Sequence, residues 1–220
     1  MIVKELAIII FTRYPKPGQT KTRLISLLGQ VGAAELHQHI LEHTIKQADK
    51  VCDELPVHRI ISFNGGNQSK MNHWLGPDGD YFQQQGKDLG ENLRQTMEYA
   101  FDKNFRKVLL VGSDIPGIRS AILKKGFRFL NDKDMVLGPA ADGGYYLIGM
   151  HKNAYTSGFF NGINWGLSSV LEETITLAQK SDLSYSLLEK LHDIDTPEDL
   201  NWWRINHSRQ YSRLMEDKDE

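Results

Sequence analysis

The chain has 220 residues, 40% hydrophobic and 25% charged, with 26 lysines and arginines against 28 aspartates and glutamates and a formal net charge of −2. That length suits one domain with a real core, and the balanced charge excludes a global nucleic-acid or membrane surface. Cys52 is the only cysteine, which excludes an internal disulfide or a CxxC site and makes a reducing cytoplasm the expected setting.

Strand and helix signals alternate along the chain. Leu6–Phe11 is a short Ile-rich run that reads as a buried strand. It is too short for the apolar core of a signal peptide, and no run approaches a membrane span. Helical patterning follows over Thr22–Leu28 and Val31–Lys50, with Cys52 near its end and given no chemical role. Val57–Phe63 is a second strand, ended by Asn64-Gly65-Gly66. Lys70–Leu75 reads as a short helix, Tyr81–Gln84 as a weak strand, and Leu89–Phe105 as a helix with Leu93, Met97, Ala100 and Phe101 on one face. "KVLLVG", Lys107–Gly112, is the clearest strand, and a helix over Ile118–Leu130 follows. Met135–Leu137 and Tyr145–Met150 are strands flanking a glycine turn. Ser169–Lys180 is a helix, Leu187–Leu191 a strand and Pro197–His207 a helix. The alternation predicts an α/β fold: a single Rossmann-like domain over residues 1–210, with a mostly parallel twisted sheet and helices on both faces. Leu6–Phe11 and Lys107–Val111 are its expected central strands, and residues 211–220 a polar C-terminal tail.

Open α/β sheets bind ligands beyond the carboxyl ends of their strands, so the loops after the strands carry the functional signal. The first, "TRYPKPGQTKTRL", gathers Arg13, Lys16, Lys21 and Arg23. Hydrophobic burial gives no reason for that cluster, whereas an anionic ligand does. Gly18 lets the backbone turn and approach a ligand, and Lys21 enters a helix whose N–H groups favour anions. The loop is not a Walker A motif, because Thr20 stands where glycine must precede the lysine. The bland alternative is an exposed turn with solvated cations. The second loop, "VGSDIPG", places Asp114 two residues past a strand end, where it either meets a hard cation or caps a turn.

In "GPAADGGYYLIG", Asp142 precedes Gly143-Gly144. The motif is either a hairpin turn or a close backbone approach to an acceptor, with Asp142 orienting a hydroxyl. In "DIDTPEDL", Thr196, Pro197, Glu198 and Asp199 are explained as a helix cap. Asp193 and Asp195 are not, and a carboxylate here could complete a metal site with Asp114. "QQQGKDLGEN" offers Gln85 and Gly90 to a nucleobase edge, or is a polar connection. Ser168 and Ser169 open a helix, as caps or anion ligands. His37, His39 and His43 have helical spacing, but no nearby carboxylate or cysteine completes a metal set, so they read as a solvated or partner-facing surface.

Taken in order, "KPGQTKTRL", "GSDIP", "ADGGYYLIG", "NWGLSSVLEET" and "DIDTPEDL" resemble a bacterial glycosyltransferase-like family. It belongs to the glycosyltransferase-A, or nucleotide-diphospho-sugar transferase, superfamily and is similar to the guanylyltransferases of deazaflavin-cofactor and molybdenum-cofactor biosynthesis. The resemblance runs from about Leu6 to Leu200. It implies a nucleotide-phosphate loop over Arg13, Lys16, Gly18, Lys21 and Arg23. Mg²⁺ or Mn²⁺ would sit on Asp114 and Asp195, and an acceptor side would be formed by Asp142, Gly143, Gly144, Ser168 and Ser169. The opening loop departs from the molybdenum-cofactor enzymes in lacking their double glycine and "RMG".

Two reactions fit these residues. In nucleotidyl transfer an acceptor phosphate or hydroxyl attacks the α-phosphorus of an NTP and pyrophosphate leaves, with Lys21, Arg13 or Arg23 and the metal neutralising the charge. In glycosyl transfer an NDP-sugar loses NDP, and Asp142 activates the acceptor. The cation-rich loop favours the first, because a triphosphate needs more positive charge. A non-catalytic nucleotide-binding module is the third reading. The expected partners are a nucleotide or nucleotide-sugar and a small-molecule acceptor, with no nucleic acid and no membrane span. Lys21 is expected to be an exposed phosphate ligand.

Overall fold

The computed structural model describes residues 4–209 and residue 212, so the polar tail expected at 211–220 lies almost wholly outside the described residues. Seven strands form one sheet in the order β3-β2-β1-β4-β6-β5-β7. They are β1 (Lys4–Arg13), β2 (Val57–Asn64), β3 (Asp80–Gln83), β4 (Phe105–Gly112), β5 (Met135–Pro139), β6 (Tyr145–His151) and β7 (Tyr185–Leu187). The helices are α1 (Ile25–Glu54), α2 (Gln68–Leu75), α3 (Leu89–Asp102), α4 (Ser120–Phe129), α5 (Val170–Lys180) and α6 (Pro197–Asn206). No helix among the described residues is long and apolar enough to cross a membrane.

Strands β1 and β4 lie at the centre, as their unbroken apolar runs predict. β1 pairs in parallel with both neighbours, so that Ile9 stands opposite Ile60 on one side and Leu110 on the other. β6 alone runs against the rest, antiparallel to β4 and to β5. The period-2 alternation of β1 divides the core. Ile8 and Ile10 face Leu41, Ile45 and Ala48 of α1 together with Ile122, Leu123 and Phe127 of α4. Ala7 and Ile9 face Leu93, Met97 and Ala100 of α3 and Phe160 beyond β6. Each fully buried isoleucine contributes roughly 1.5–3 kcal/mol of transfer free energy, so both faces must stay covered.

Two smaller features position the site. A third apolar cluster packs Leu24, Ala33, Leu36 and Ile40 against Ile194, Leu200 and Trp203. It brings the C-terminal segment onto the start of α1. The cap read at "DTPEDL" is present: Thr196 accepts from the Asp199 backbone, Asp199 accepts in return, and Pro197 opens α6. α1 contains a break at Gly29, whose φ of 72° and ψ of 172° are not helical, which agrees with two stretches of helical pattern rather than one.

The expected strand over Leu187–Leu191 is displaced. The strand is Tyr185–Leu187, paired with Met135–Leu137, and further on Leu191 makes only an isolated bridge to Ala140. β5 is short, and its partner cannot extend past it. The helix expected to run to Phe105 stops at Asp102, because Asn104 turns into the left-handed region at φ 65° and Phe105 begins β4.

Candidate active site

The carboxyl ends of β1 and β4 and the start of β6 open on one cavity of about 820 Å³. Its wall carries Arg13, Lys21 and Arg23 from the first loop, Asp114 from the loop after β4, Asp142 and Gly144 from the turn before β6, and Asp193 and Asp195 from the segment before α6. Residues 170 or more apart in the chain meet because the parallel strands β1 and β4 end on the same side and the Ile194 cluster folds the C-terminal segment onto the start of α1.

Lys21 is the hub of this wall. Its backbone sits in the left-handed region, φ 49° and ψ 45°, a conformation costly for a residue with a Cβ. Its ammonium lies 2.6 Å from Asp114 Oδ1 and 3.8 Å from Asp195 Oδ1, and donates to the Ile194 carbonyl. The side chain is only 3% exposed. This corrects the expectation of an exposed phosphate ligand. Hydrophobic packing of Ile194 against Leu24 closes the C-terminal segment over Lys21, and its charge is already taken up by carboxylates. Ile194 N–H also donates to the Asp114 carbonyl at 3.0 Å, which ties the same segment to the loop after β4.

Asp114 is half open to the cavity at 51% exposure. Partial desolvation works against its charge, but the Lys21 ammonium and the neighbouring His37 outweigh that and hold its carboxyl well below the usual range. Asp193 behaves oppositely. Burial and the nearby charge of Asp142 raise it to about 6, with Lys21 opposing. Arg23 Nη1 pairs with Asp195 Oδ2 at 2.7 Å, and Arg13 Nη1 donates to the Gln19 carbonyl at 3.1 Å.

His37, read from the sequence as part of a solvated or partner-facing surface, lies against the cavity instead. It is 2% exposed, and its Nε2 lies 3.1 Å from the Arg13 carbonyl and 3.3 Å from Thr12 Oγ1. Its Nδ1 has no hydrogen-bond partner and stands 3.5 Å from Asp114 Oδ1. The signal was present: Ala33, His37, Ile40, Leu41 and Thr44 form one buried face of α1. His39 is also buried, and His43 Nε2 lies 3.0 Å from the Ile118 carbonyl.

Some expected ligands lie off the cavity wall. Lys16 and Gln85 are exposed, and Gly18 turns the loop at φ 75° beside Gln30. Instead of Gln85, its neighbour Gln84 lines the cavity, with Nε2 donating to the Thr12 and Ser62 carbonyls. Gly90 is buried because Trp165 packs where its Cβ would be. Gly143 has φ +92° and lies against the Ser168 backbone, so the glycine pair closes the turn onto the Ser168 loop. Asp142 accepts from the Gly144 N–H at 2.8 Å. Ser169 spends its hydroxyl on Glu173 at 2.6 Å.

The donor chemistry of Asp114 and Asp195 suits a hard divalent cation, since both present oxygen to one point. Lys21 Nζ holds that point. Among the described residues no group of three His, Cys, Asp or Glu side chains is arranged to hold a metal.

Comparison with known proteins identifies the family and the fold. Residues 47–167 match the family described as "Uncharacterized protein conserved in bacteria (DUF2064)". No curated protein matches the chain. A "putative nucleotide-diphospho-sugar transferase" from Desulfovibrio desulfuricans G20 is 33% identical, with a TM-score of 0.88 over 99% of this chain and 96% of its own. A nucleotidyl transferase from Methanothermobacter thermautotrophicus superposes with a TM-score of 0.63 at 14% identity, covering 93% of this chain and 98% of its own. A Mycobacterium tuberculosis H37Rv protein solved with manganese gives 0.55 at 14% identity, over 90% of this chain and 97% of its own. The chain thus belongs to the bacterial family of uncharacterized conserved proteins DUF2064, built on the fold of the glycosyltransferase-A, or nucleotide-diphospho-sugar transferase, superfamily.

Proposed function

We propose that the chain is a transferase that uses a nucleotide donor, and that its reaction is metal-dependent nucleotidyl transfer from an NTP to a small phosphorylated or hydroxyl acceptor. One observation carries this reading: cations of the first loop and carboxylates from three distant segments line a single cavity at the carboxyl ends of the strands. Arg13 and Arg23 line the cavity and would bind phosphate oxygens, for which a guanidinium fork is suited. Asp114 and Asp195 would hold Mg²⁺ or Mn²⁺ through oxygen, and a mycobacterial protein of the same fold was solved with manganese. A bound cation there would supply positive charge against the pyrophosphate leaving group. Asp142, on the turn facing this wall, would orient the acceptor oxygen.

The name of the 33% identical relative favours a second reading, transfer of a sugar from an NDP-sugar through the same cavity. The test is incubation of the purified protein with Mn²⁺, a panel of NTPs and NDP-sugars, and phosphorylated and hydroxyl acceptors. Pyrophosphate release supports nucleotidyl transfer. Release of free NDP supports glycosyl transfer. Nucleotide binding with neither product would reduce the site to a binding module.

A further inference from the structure

We propose that Lys21 is a built-in counter-ion: in the free protein its ammonium holds the metal position, and metal binds only by displacing it. The inference rests on the reading above that Asp114 and Asp195 are the metal carboxylates. It makes Lys21 a competitor of the metal in the free protein, rather than a standing ligand of the phosphates.

The argument is electrostatic and geometric. Two carboxylates that face one point in a partly closed cavity repel unless a cation stands between them. Lys21 Nζ does so, at 2.6 Å from Asp114 Oδ1 and 3.8 Å from Asp195 Oδ1, and the Ile194 carbonyl completes its partners. The remaining oxygen of Asp195 is taken by Arg23. A divalent cation and an ammonium cannot share that point, since like charges in contact repel and the same oxygens cannot ligate both. Metal entry therefore requires Nζ to leave, and in the free protein a leaving Nζ loses three oxygen partners at once.

A nucleotide changes this balance. Its phosphates offer the displaced ammonium new oxygens beside the cavity wall, so metal and nucleotide each favour the other's binding, and reciprocally. The loop has the means to move. Lys21 leaves a left-handed conformation if its contacts break, and Gly18, at φ 75°, gives the loop a second flexible point three residues earlier.

The experiment is a titration with Mn²⁺ alone, following free Mn²⁺ by electron paramagnetic resonance, on wild type, Lys21→Met and Lys21→Gln. Loss of the ammonium should tighten Mn²⁺ binding by about tenfold or more, because a competing charge is removed from the same oxygens. Unchanged or weaker Mn²⁺ affinity in folded variants overturns the proposal. Asp114→Asn in the Lys21→Met background separates the two layers. If tight Mn²⁺ binding is then lost, the carboxylate assignment stands whatever Lys21 does. If it survives, the assignment of the metal carboxylates falls, and the proposal with it. Should the Lys21 variants not fold, wild type alone decides. Acetylation of Lys21 by an N-hydroxysuccinimide ester, read by peptide mass spectrometry, should be slow in the free protein and rise with added Mn²⁺. A rate indifferent to Mn²⁺ overturns the proposal.

Discussion

His37 and Asp114 meet across the base of the cavity, with Nδ1 3.5 Å from Oδ1, while the other ring nitrogen is anchored at 3.1 Å from the Arg13 carbonyl. The ring is thus held to the end of β1 and stands against the carboxylate. His37→Leu roughly keeps the volume but removes both nitrogens. Partners that orient a metal ligand are worth about 10–100-fold in metal affinity, and Mn²⁺ binding should weaken on that scale. If unfolding in urea shows lost stability while Mn²⁺ affinity is intact, His37 is only a packed core residue.

Lys21→Ala should destabilise the protein, contrary to what an exposed cation would do. The substitution leaves Asp114, Asp195 and the Ile194 carbonyl without their shared donor. Charged hydrogen bonds contribute about 1.5–3 kcal/mol, and the lower end applies because both carboxylates are partly open to water. Equal melting temperatures for variant and wild type would show that Lys21 is not held as described.

Lys16 carries the test of the cationic loop. It is exposed, with no acidic partner among the described residues. Lys16→Ala should change stability by no more than about 0.5 kcal/mol, as surface substitutions do. Since Lys16 lies off the cavity wall, it can act on a nucleotide only through its field: affinity should fall modestly, and less at high salt, because exposed charge is screened over about 8 Å at physiological ionic strength. Calorimetry at two salt concentrations decides; identical affinities for both proteins make Lys16 plain surface.

Gly143 and Gly166 both have positive φ, at +92° and +87°, but differ in what a Cβ would meet. At Gly166 the space is open, and at Gly143 the Ser168 backbone is in the way. Gly166→Ala should cost the conformational penalty of about 1–2 kcal/mol. Gly143→Ala should cost about 1–3 kcal/mol beyond that, from overpacking. Urea unfolding of both variants measures the difference, and equal losses would contradict the close contact of the turn with the Ser168 loop.

Asp80 gives the pH dependence. Burial opposes its charge, but hydrogen bonds from Lys103, Tyr99 and His58 prevail and lower its carboxyl below the ordinary value. A lowered folded value means that the stabilisation is fully present above the unfolded pKa of about 3.9 and fades as pH falls through the folded one. Wild type should therefore exceed Asp80→Asn in melting temperature at neutral pH, with the gap narrowing below about pH 4. A gap that stays constant down to acid pH would mean the network contributes nothing through charge.

Local patterns carried most of the fold. The apolar runs at Leu6–Phe11 and Lys107–Gly112 gave the central strands, and with them the place of Asp114 just past a strand end, whereas Asp195 reaches the cavity through the packing of Ile194, Leu200 and Trp203 on the start of α1. What could not be read locally was burial created by distant chain. Nothing near Lys21 announces that Ile194 will cover it. His37 was legible in principle, from its place between Ala33 and Ile40 on one helical face, but the three histidines drew attention to metal spacing instead. Tyr185–Leu187 was passed over because its residues carry no strong alternation, and only pairing with Met135–Leu137 selects it.

The bond from Lys21 to Ile194 spans 173 positions in the chain. The first loop thus leaves the ribosome well before the segment that covers Lys21. β1 can join its neighbours early, but Lys21 must wait until Ile194 has been synthesised. Closure of so long a loop is slow relative to local structure. In refolding followed by hydrogen exchange, protection of the amides around Lys21 should arrive with the slowest phase, together with that of Ile194, well after β1 and β4 are sealed.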